Sequence, residues 1–197
     1  MLRSRPPVLT RIAAAVAITA MLGGCVGVAV GAGATVSAAA YQERGVDGAA
    51  RDLKITADIR ERLFRYDHEL AAATGIEVYE GRVLVTGTVD EEKDRADAVR
   101  LAWQAPGVKE VINEVQVVES DLVDLTRDTW ITTKLEAQIT FDKHISAVNY
   151  SVETVNRTIY LIGIAQNQAE LDRVVAHARD IEQVRRVISH VRVKTSP

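Results

Sequence analysis

The residues with the most evident surface chemistry lie in the segment 127–141, RDTWITTKLEAQITF. Helical spacing places five of its side chains on one face, called here the aromatic stripe: Trp130, Thr133, Lys134, Ala137 and Phe141. Aromatic rings settle at the headgroup depth of a bilayer, and an ammonium group meets lipid phosphate there. The stripe therefore predicts contact with an anionic membrane, in which Trp130 inserts, Lys134 pairs with phosphate and Thr133 bonds headgroup oxygen.

The single cysteine, Cys25, offers a second kind of chemistry, covalent attachment of lipid. It follows arginines and an apolar run, 12–22, which is the layout of a secretory signal. The sequence LGGC resembles the lipobox of bacterial lipoproteins, and this implies removal of residues 1–24 and acylation of Cys25. The alternative is an uncleaved transmembrane helix, because residues 12–40 carry no charge and contain glycines at GxxxG spacing.

The residues after Cys25 predict where the protein is held. An Asp at the next position commonly retains Gram-negative lipoproteins in the inner membrane, and this chain has Val26 there. By that resemblance we expect the protein to be attached to the outer membrane and to face the periplasm. Residues 25–50 are predicted to form the acylated N-terminus and a flexible tether spanning roughly 25–30 Å. Such a tether lets the folded part touch the membrane that anchors it.

Composition and motifs argue against several other functions. Asp and Glu together number 27 and Lys and Arg 24, so the basic excess of a nucleic-acid-binding protein is absent. The four histidines lie far apart, and none has metal-ligand spacing: His68, His144, His177 and His190. No nucleophile elbow, phosphate-binding loop or HExxH motif is present. We therefore expect neither an enzyme nor a bound metal or cofactor.

Beyond the tether, the sequence repeats itself at a constant offset of 76 residues without a gap. The segment 51–65 aligns with 127–141, and VLVTG (83–87) aligns with IYLIG (159–163). Apolar positions recur in step, for example Ile59 with Leu135. This period is too long for a solenoid repeat and predicts two tandem domains, 51–120 and 127–194.

Each copy predicts the order helix, hairpin, helix, strand. Apolar residues four apart give the first helix a buried stripe, and Asp52 is its expected N-cap. The turn residues Gly81 and Asn156 supply left-handed backbone, with a looser turn expected in the second copy. The fold class is α+β, with a three-stranded mixed sheet and two helices in each domain (αββαβ). The residues assigned to the buried face of the second helices are Ala96, Val99 and Trp103 in the first copy and Leu171, Val174, Val175 and Ala178 in the second.

These features resemble the BON domain family over residues 51–194, on the motifs GRVLVTGTV, PGVKEVINEVQV and RTIYLIGIA. With the lipobox, the chain is similar to outer-membrane lipoproteins that carry two BON domains. The resemblance implies a non-enzymatic protein that binds anionic phospholipid through the first helix of the second domain, supporting membrane integrity and localisation to the cell-division site. On this resemblance the lipid-binding residues are Trp130, Ile131, Thr133, Lys134 and Leu135. The spacing of Ile131 and Leu135 also directs them towards the core.

The two copies differ at the aromatic stripe, where the first copy has Lys54, Ala57, Asp58, Glu61 and Arg65. Residues 45–120 carry ten basic and sixteen acidic side chains, whereas residues 121–197 carry ten of each. Anionic lipid would repel the first domain more strongly. Three alternatives remain at this point. Trp130 and Phe141 pack against the first domain, or the stripe binds an envelope protein and the chain is an adaptor, or the protein is a structural spacer between the membrane and the cell wall.

Overall fold

The computed structural model describes residues 41–118 and 124–195. Cys25, the signal segment and most of the predicted tether lie outside these residues. The first unit contains α1 (Gly45–Tyr66), α2 (His68–Ala73), β1 (Thr74–Tyr79), β2 (Arg82–Val89), α3 (Glu92–Trp103), β3 (Glu110–Asn113) and β4 (Gln116–Val117). The second contains α4 (Leu125–Phe141), a 3-10 turn (Ala147–Asn149), β5 (Tyr150–Val155), β6 (Thr158–Ala165), α5 (Gln168–Arg179) and β7 (Arg186–Val193).

Both units contain the predicted mixed sheet. β1 pairs antiparallel with β2, and β3 and β4 pair parallel with β2. In the second unit β6 pairs antiparallel with β5 and parallel with β7. The α+β prediction is therefore confirmed, while the short helix α2 and the division of the last strand of the first unit were not anticipated. In each central strand a glycine allows a close contact with the backbone of the neighbouring segment. A Cβ on Gly87 would lie 2.0 Å from the carbonyl oxygen of Ala73, and a Cβ on Gly163 would lie 1.9 Å from that of Asn149.

The start of α1 corrects two predictions. The helix begins at Gly45, so residues 45–50 are helical and do not belong to the tether. Its N-cap residue is Arg44, and Asp52 lies inside the helix with 4% of its surface exposed. The capping prediction failed because Asp52 bonds the hairpin turn instead: its carboxylate accepts hydrogen bonds from the N–H groups of Glu80 and Gly81 at 2.8 and 2.9 Å.

Each unit has a core between its helices and one face of its sheet. Ile55, Ile59 and Leu63 from α1 fill the first core as predicted. On α3 the predicted face is wrong, because Ala98, Leu101 and Ala102 are buried whereas Trp103 is 51% exposed. The second core contains Ile131, Leu135 and Ile139 from α4, with Val174 and Ala178 buried and Leu171 and Val175 partly buried from α5.

A third core joins the two units and was not predicted. The sheet faces turned away from the helices pack on each other through a cluster of buried residues: Tyr79, Leu84, Val155, Tyr160 and Ile162. Along β2, Val83 and Val85 belong to the helix-side core and Leu84 to this third core, as the alternation of a strand requires. The described residues are therefore layered helix, sheet, sheet, helix, and we call the contact between the sheets the seam.

The seam has approximate twofold character. Glu114 and His190 are equivalent under the 76-residue offset, and they bond each other, with 2.9 Å between Oε1 and Nε2. Contact between equivalent residues is the mark of a twofold arrangement. The offset of 76 residues therefore relates positions near one end of the seam to positions near the other end, and the side chains at the two ends can be compared.

A short strap precedes α1 and reaches both units. Arg44 Nη1 donates to Asp52 Oδ2 at 2.6 Å and to the carbonyl oxygen of Val78 at 2.8 Å. Glu43 turns to the second unit, where its N–H donates to Asn149 Oδ1 and its carboxylate pairs with Lys194 at 2.8 Å. Residues 43 and 44 thus hold the two units together at one end of the seam.

Candidate membrane-binding face

The position of the aromatic stripe is set by the core side of α4. Asp124 caps the helix by accepting a hydrogen bond from the N–H of Arg127. Ile131 and Leu135 are fully buried against the second sheet, with 0% of each side chain exposed. The prediction that these two residues contact lipid is therefore wrong for this conformation, because their apolar side chains fill the core and fix the helix.

A buried carboxylate fixes α4 to its hairpin, and sequence reasoning missed this role. Asp128 accepts hydrogen bonds from the N–H groups of Asn156 and Arg157 at 2.6 and 2.8 Å. Both turn residues have positive φ, 48° and 61°, so the turn has the same two-residue geometry as Glu80-Gly81 and is not looser. The available signal was the dipeptide Arg-Asp, which begins both copies at 51–52 and 127–128.

The aromatic stripe itself is on the surface. Trp130 is 46% exposed and Phe141 is 85% exposed, while Thr133 and Ala137 are also exposed between them. Lys134 Nζ lies 4.7 Å from the centre of the Trp130 ring system, within the range of a cation–π contact. No carboxylate of the described residues forms an ion pair with Lys134. The stripe therefore presents an indole, a phenyl ring and a cation whose charge remains available.

The inner edge of Trp130 borders a small hollow of about 340 Å³. Arg127 and the loop residues Glu182 and Gln183 form part of its wall. Trp130 thus borders this hollow while about half of its surface is exposed to solvent.

The alternative that Trp130 and Phe141 form the contact between the domains is wrong. The units meet through their sheets, and α4 lies on the opposite side of the second sheet from the seam. The same face of α1 is also exposed, but it carries charged side chains, including a Glu61–Arg65 ion pair at 2.7 Å. Both helices thus show an outer face to solvent, and at the stripe positions only α4 carries aromatic side chains. The exposed aromatic residues of α1, Phe64 and Tyr66, lie at its C-terminal end, where Phe64 stacks on His68 and Tyr66 donates a hydrogen bond to Asp97.

The four histidines contact acids or an aromatic ring. In the described ranges, no three His, Cys, Asp or Glu side chains are grouped so that they could hold a metal ion. His177 and His144 both contact Asp142, which lowers the pKa of that carboxyl to about 2, and His68 stacks on Phe64. Among the helices of residues 41–118 and 124–195, none is long and apolar enough to span a bilayer. Cys25 lies outside these residues.

Comparison with known proteins places this architecture in a family. The family model described as BON domain matches residues 51–119 and 127–195. An Anaplasma centrale protein, described as an uncharacterized protein in the gshII 5'region, is 40% identical over 74% of this chain and 96% of its own. Outer membrane lipoprotein DolP of Haemophilus influenzae is 28% identical over 91% of this chain and 94% of its own. Osmotically-inducible protein Y of Escherichia coli is 27% identical over 73% of each chain. With two units matched over their helices and sheets, the chain belongs to the BON domain family.

Proposed function

We propose that this protein is a lipoprotein of the outer membrane, attached through Cys25, that binds anionic phospholipid with the aromatic stripe of α4. Trp130 enters the headgroup region, Lys134 pairs with phosphate, and Thr133 bonds headgroup oxygen. Phe141 adds apolar contact at the other end of the helix. Docking of the second unit on the membrane would support envelope integrity, including at the division site.

The observation that carries the proposal is the contrast between the outer faces of α4 and α1. Both helices bury equivalent apolar residues and both leave the opposite face exposed. Fold maintenance therefore does not require Trp130 or Phe141, because α1 folds with Lys54 and Arg65 in their places. The similarity to DolP, which is described as an outer membrane lipoprotein, supports the location and the lipid anchor.

The energies expected of this face suit a tethered protein. Partial burial of one Trp and one Phe in the interface gives about 2–4 kcal/mol, and one Lys near an anionic surface adds about 1 kcal/mol. Contacts of this size are weak between free molecules. An acyl anchor raises the local concentration of the membrane, so that a millimolar affinity becomes effective.

The test is co-sedimentation of residues 25–197, carrying Cys25→Ser, with vesicles of phosphatidylglycerol and of phosphatidylcholine. We expect selective binding to phosphatidylglycerol, a blue shift of Trp fluorescence and at least tenfold weaker binding for Trp130→Ala. Trp103→Ala is the matched control, because Trp103 is also about half exposed but lies on α3 of the first unit. It should leave the affinity unchanged.

Two outcomes would overturn the proposal. Equal binding by the wild type and by folded Trp130→Ala would put the lipid contact elsewhere. Binding to neither kind of vesicle, together with loss of an envelope protein from pull-downs with Trp130→Ala, would favour the adaptor function.

A further inference from the structure

A partly open cavity of about 570 Å³ lies at the end of the seam opposite the strap. Residues of β1, β2, β5 and the start of α4 line it, and among them are Gly75, Thr86, Leu125, Asp128 and Glu153. Ala72, Ala73 and Val155 supply apolar wall. The lining therefore combines the carboxyl groups of Glu69, Asp128 and Glu153 with apolar side chains.

The 76-residue offset relates this cavity to the place that Arg44 occupies at the other end. Arg44 contacts Asp52, the carbonyl of Val78 and the ring of Tyr79, whose centre is 4.6 Å from Cζ. The equivalent positions are Asp128, Thr154 and Val155, and all three line the cavity. The cavity is thus the counterpart of a guanidinium site.

Among residues 41–118 and 124–195, no arginine takes the place of Arg44 beside Asp128. The residue that the offset equates with Arg44 is Ser120, and the segment 119–123 reads ESDLV, without a basic residue. Asp128 is 4% exposed and accepts only two turn N–H groups among the described residues, whereas Asp52 accepts two turn N–H groups and the guanidinium. Burial raises the pKa of the Asp128 carboxyl.

A second asymmetry leaves two further polar groups facing the cavity. Thr86 is 1% exposed, and its Oγ1 has no hydrogen-bond partner within the described parts of the chain. A Cβ built on Gly75 would stand 2.6 Å from that Oγ1 and 3.8 Å from Glu153 Oε1, so the missing side chain opens the space between them. In the other half, Ser151 stands at the place of Gly75 and hydrogen-bonds Glu77, the counterpart of Glu153.

We propose that the seam cavity binds an alkylguanidinium group, with the cation on Asp128 and Glu153 and the methylene chain against the apolar wall. The group comes from outside the fold, either as a small molecule or as an arginine side chain of a peptide. Thr86 Oγ1 accepts a hydrogen bond from the same cation. Because Val155 replaces the aromatic ring of Tyr79, the cation–π contribution is absent, and we expect a dissociation constant of about 1 mM.

The electrostatics of the cavity favour a cation. Burial raises the pKa of Glu153 to about 7, and the neighbouring Glu77, Glu136 and Asp128 act in the same direction while Arg60 opposes them. A bound cation stabilises the ionised carboxylate, so binding should strengthen as the pH rises from 6 to 8. A neutral ligand would lack this dependence.

The experiment is an amide NMR titration of residues 25–197, carrying Cys25→Ser, with n-butylguanidinium and with its neutral isostere n-butylurea. We expect shifts at Gly87, Leu125 and Thr154 and at least tenfold tighter binding of the cation. Asp128→Asn keeps a carbonyl acceptor for the turn but removes the charge, and should weaken binding at least tenfold. Glu153→Gln leaves the turn untouched and should weaken it several-fold.

Arg44→Ala is the matched gain-of-site variant, because it opens the counterpart beside Asp52. We expect it to bind a second butylguanidinium with shifts near Val78, whereas the wild type binds one. Equal binding of butylguanidinium and butylurea would overturn the proposal. Unchanged binding by folded Asp128→Asn and Glu153→Gln would do so as well.

A third arm separates the two sources of the group, using the blocked peptides acetyl-Ala-Arg-Ala-amide and acetyl-Ala-Lys-Ala-amide. Tighter binding of the arginine peptide than of butylguanidinium would identify a protein partner. Binding of butylguanidinium alone would identify a small molecule. If neither butylguanidinium nor the arginine peptide binds, the proposal is overturned.

Discussion

The two BON units of this chain have the same framework but differ in two surfaces. At the stripe positions α1 carries charged side chains, of which Glu61 and Arg65 form an ion pair, whereas α4 carries Trp130 and an ammonium group without an ion-pair partner in the described structure. A repeat makes such differences interpretable, because each unit shows what the fold requires of the other. The first unit folds without an aromatic stripe, so the fold does not require the stripe of α4.

The second difference is between the two ends of the seam. At one end Arg44 forms an ion pair with Asp52, and the Ser151 side chain hydrogen-bonds Glu77. At the other end Asp128 and Glu153 face a cavity beside Gly75. The polar residues that stabilise the first end are thus matched by groups at the second end that lack the same partners. The two ends of the seam are thus related in backbone structure but differ in the interactions of their side chains.

The largest expected effect tests whether the units share one framework. Ile59 and Leu135 are equivalent and both are 0% exposed. Truncation of either to Ala removes core contacts and should lower the free energy of unfolding by about 3–4 kcal/mol, measured by urea denaturation. Trp130→Ala is the control and should cost less than about 1 kcal/mol, since its side chain is about half exposed. A cost for Leu135→Ala as small as that for Trp130→Ala would contradict the assignment of Leu135 to the core.

The next effect tests the difference between the ends of the seam. Arg44→Ala leaves Asp52, which is 4% exposed, without its cation and removes the bond to Val78. It should lower the free energy of unfolding by about 2–3 kcal/mol. Arg65→Ala is the matched control, because its ion pair with Glu61 is exposed, and it should change stability by less than about 0.5 kcal/mol. Similar losses for both variants would remove the special role of the strap.

The two carboxyls of the seam should differ in their response to pH. The pKa of Glu153 is about 7 in the folded protein against 4.5 for an ordinary Glu, so the folded state retains a proton that the unfolded state loses. Stability therefore falls as the pH rises from 4.5 to 7. Glu153→Gln should remove that fall and raise the free energy of unfolding by about 1–2 kcal/mol at pH 8, with little change at pH 4.

Glu77→Gln is the comparison variant for this pH effect. Burial also raises the pKa of Glu77, but the Ser151 hydroxyl and the charges of Arg60 and Arg44 favour its ionised form. Its gain at pH 8 should be smaller than that of Glu153→Gln. Thermal unfolding of both variants from pH 4 to pH 8 measures the difference, and equal gains would argue against the asymmetry of the seam.

The smallest effect transfers the aromatic stripe to the first unit. The triple change Lys54→Trp, Asp58→Lys and Arg65→Phe recreates the two rings and the cation on α1, where these positions are exposed or half-buried. It should strengthen binding to phosphatidylglycerol vesicles about fivefold, equivalent to about 1 kcal/mol, because the acidic first unit still repels the membrane. Co-sedimentation measures it, and Leu53→Ala on the same helix controls for loss of apolar surface. No gain would imply that a membrane contact needs more than this stripe.

Sequence periodicity predicted the units, the mixed sheets and the buried stripes of the first helices, because the offset of 76 residues aligned equivalent apolar positions. It failed on α3, where three alanines offered more than one apolar face and the core contains the face with Ala98, Leu101 and Ala102. It also read Asp52 as a cap, since an acid near a helix start is usual there. The hairpin that this carboxylate holds is 28 residues away.

The sequence by itself determined the repeated framework and the composition of the aromatic stripe, because local periodicity and side-chain type decide which faces are apolar. Only the tertiary structure decided that the sheets pack on each other, that α4 faces away from that contact, and that the strap fills one end of the seam. Those outcomes depend on contacts between residues far apart in the chain, such as Arg82 with the carbonyl of His190. Periodicity within a helix or strand carries no information about which other element its second face will meet.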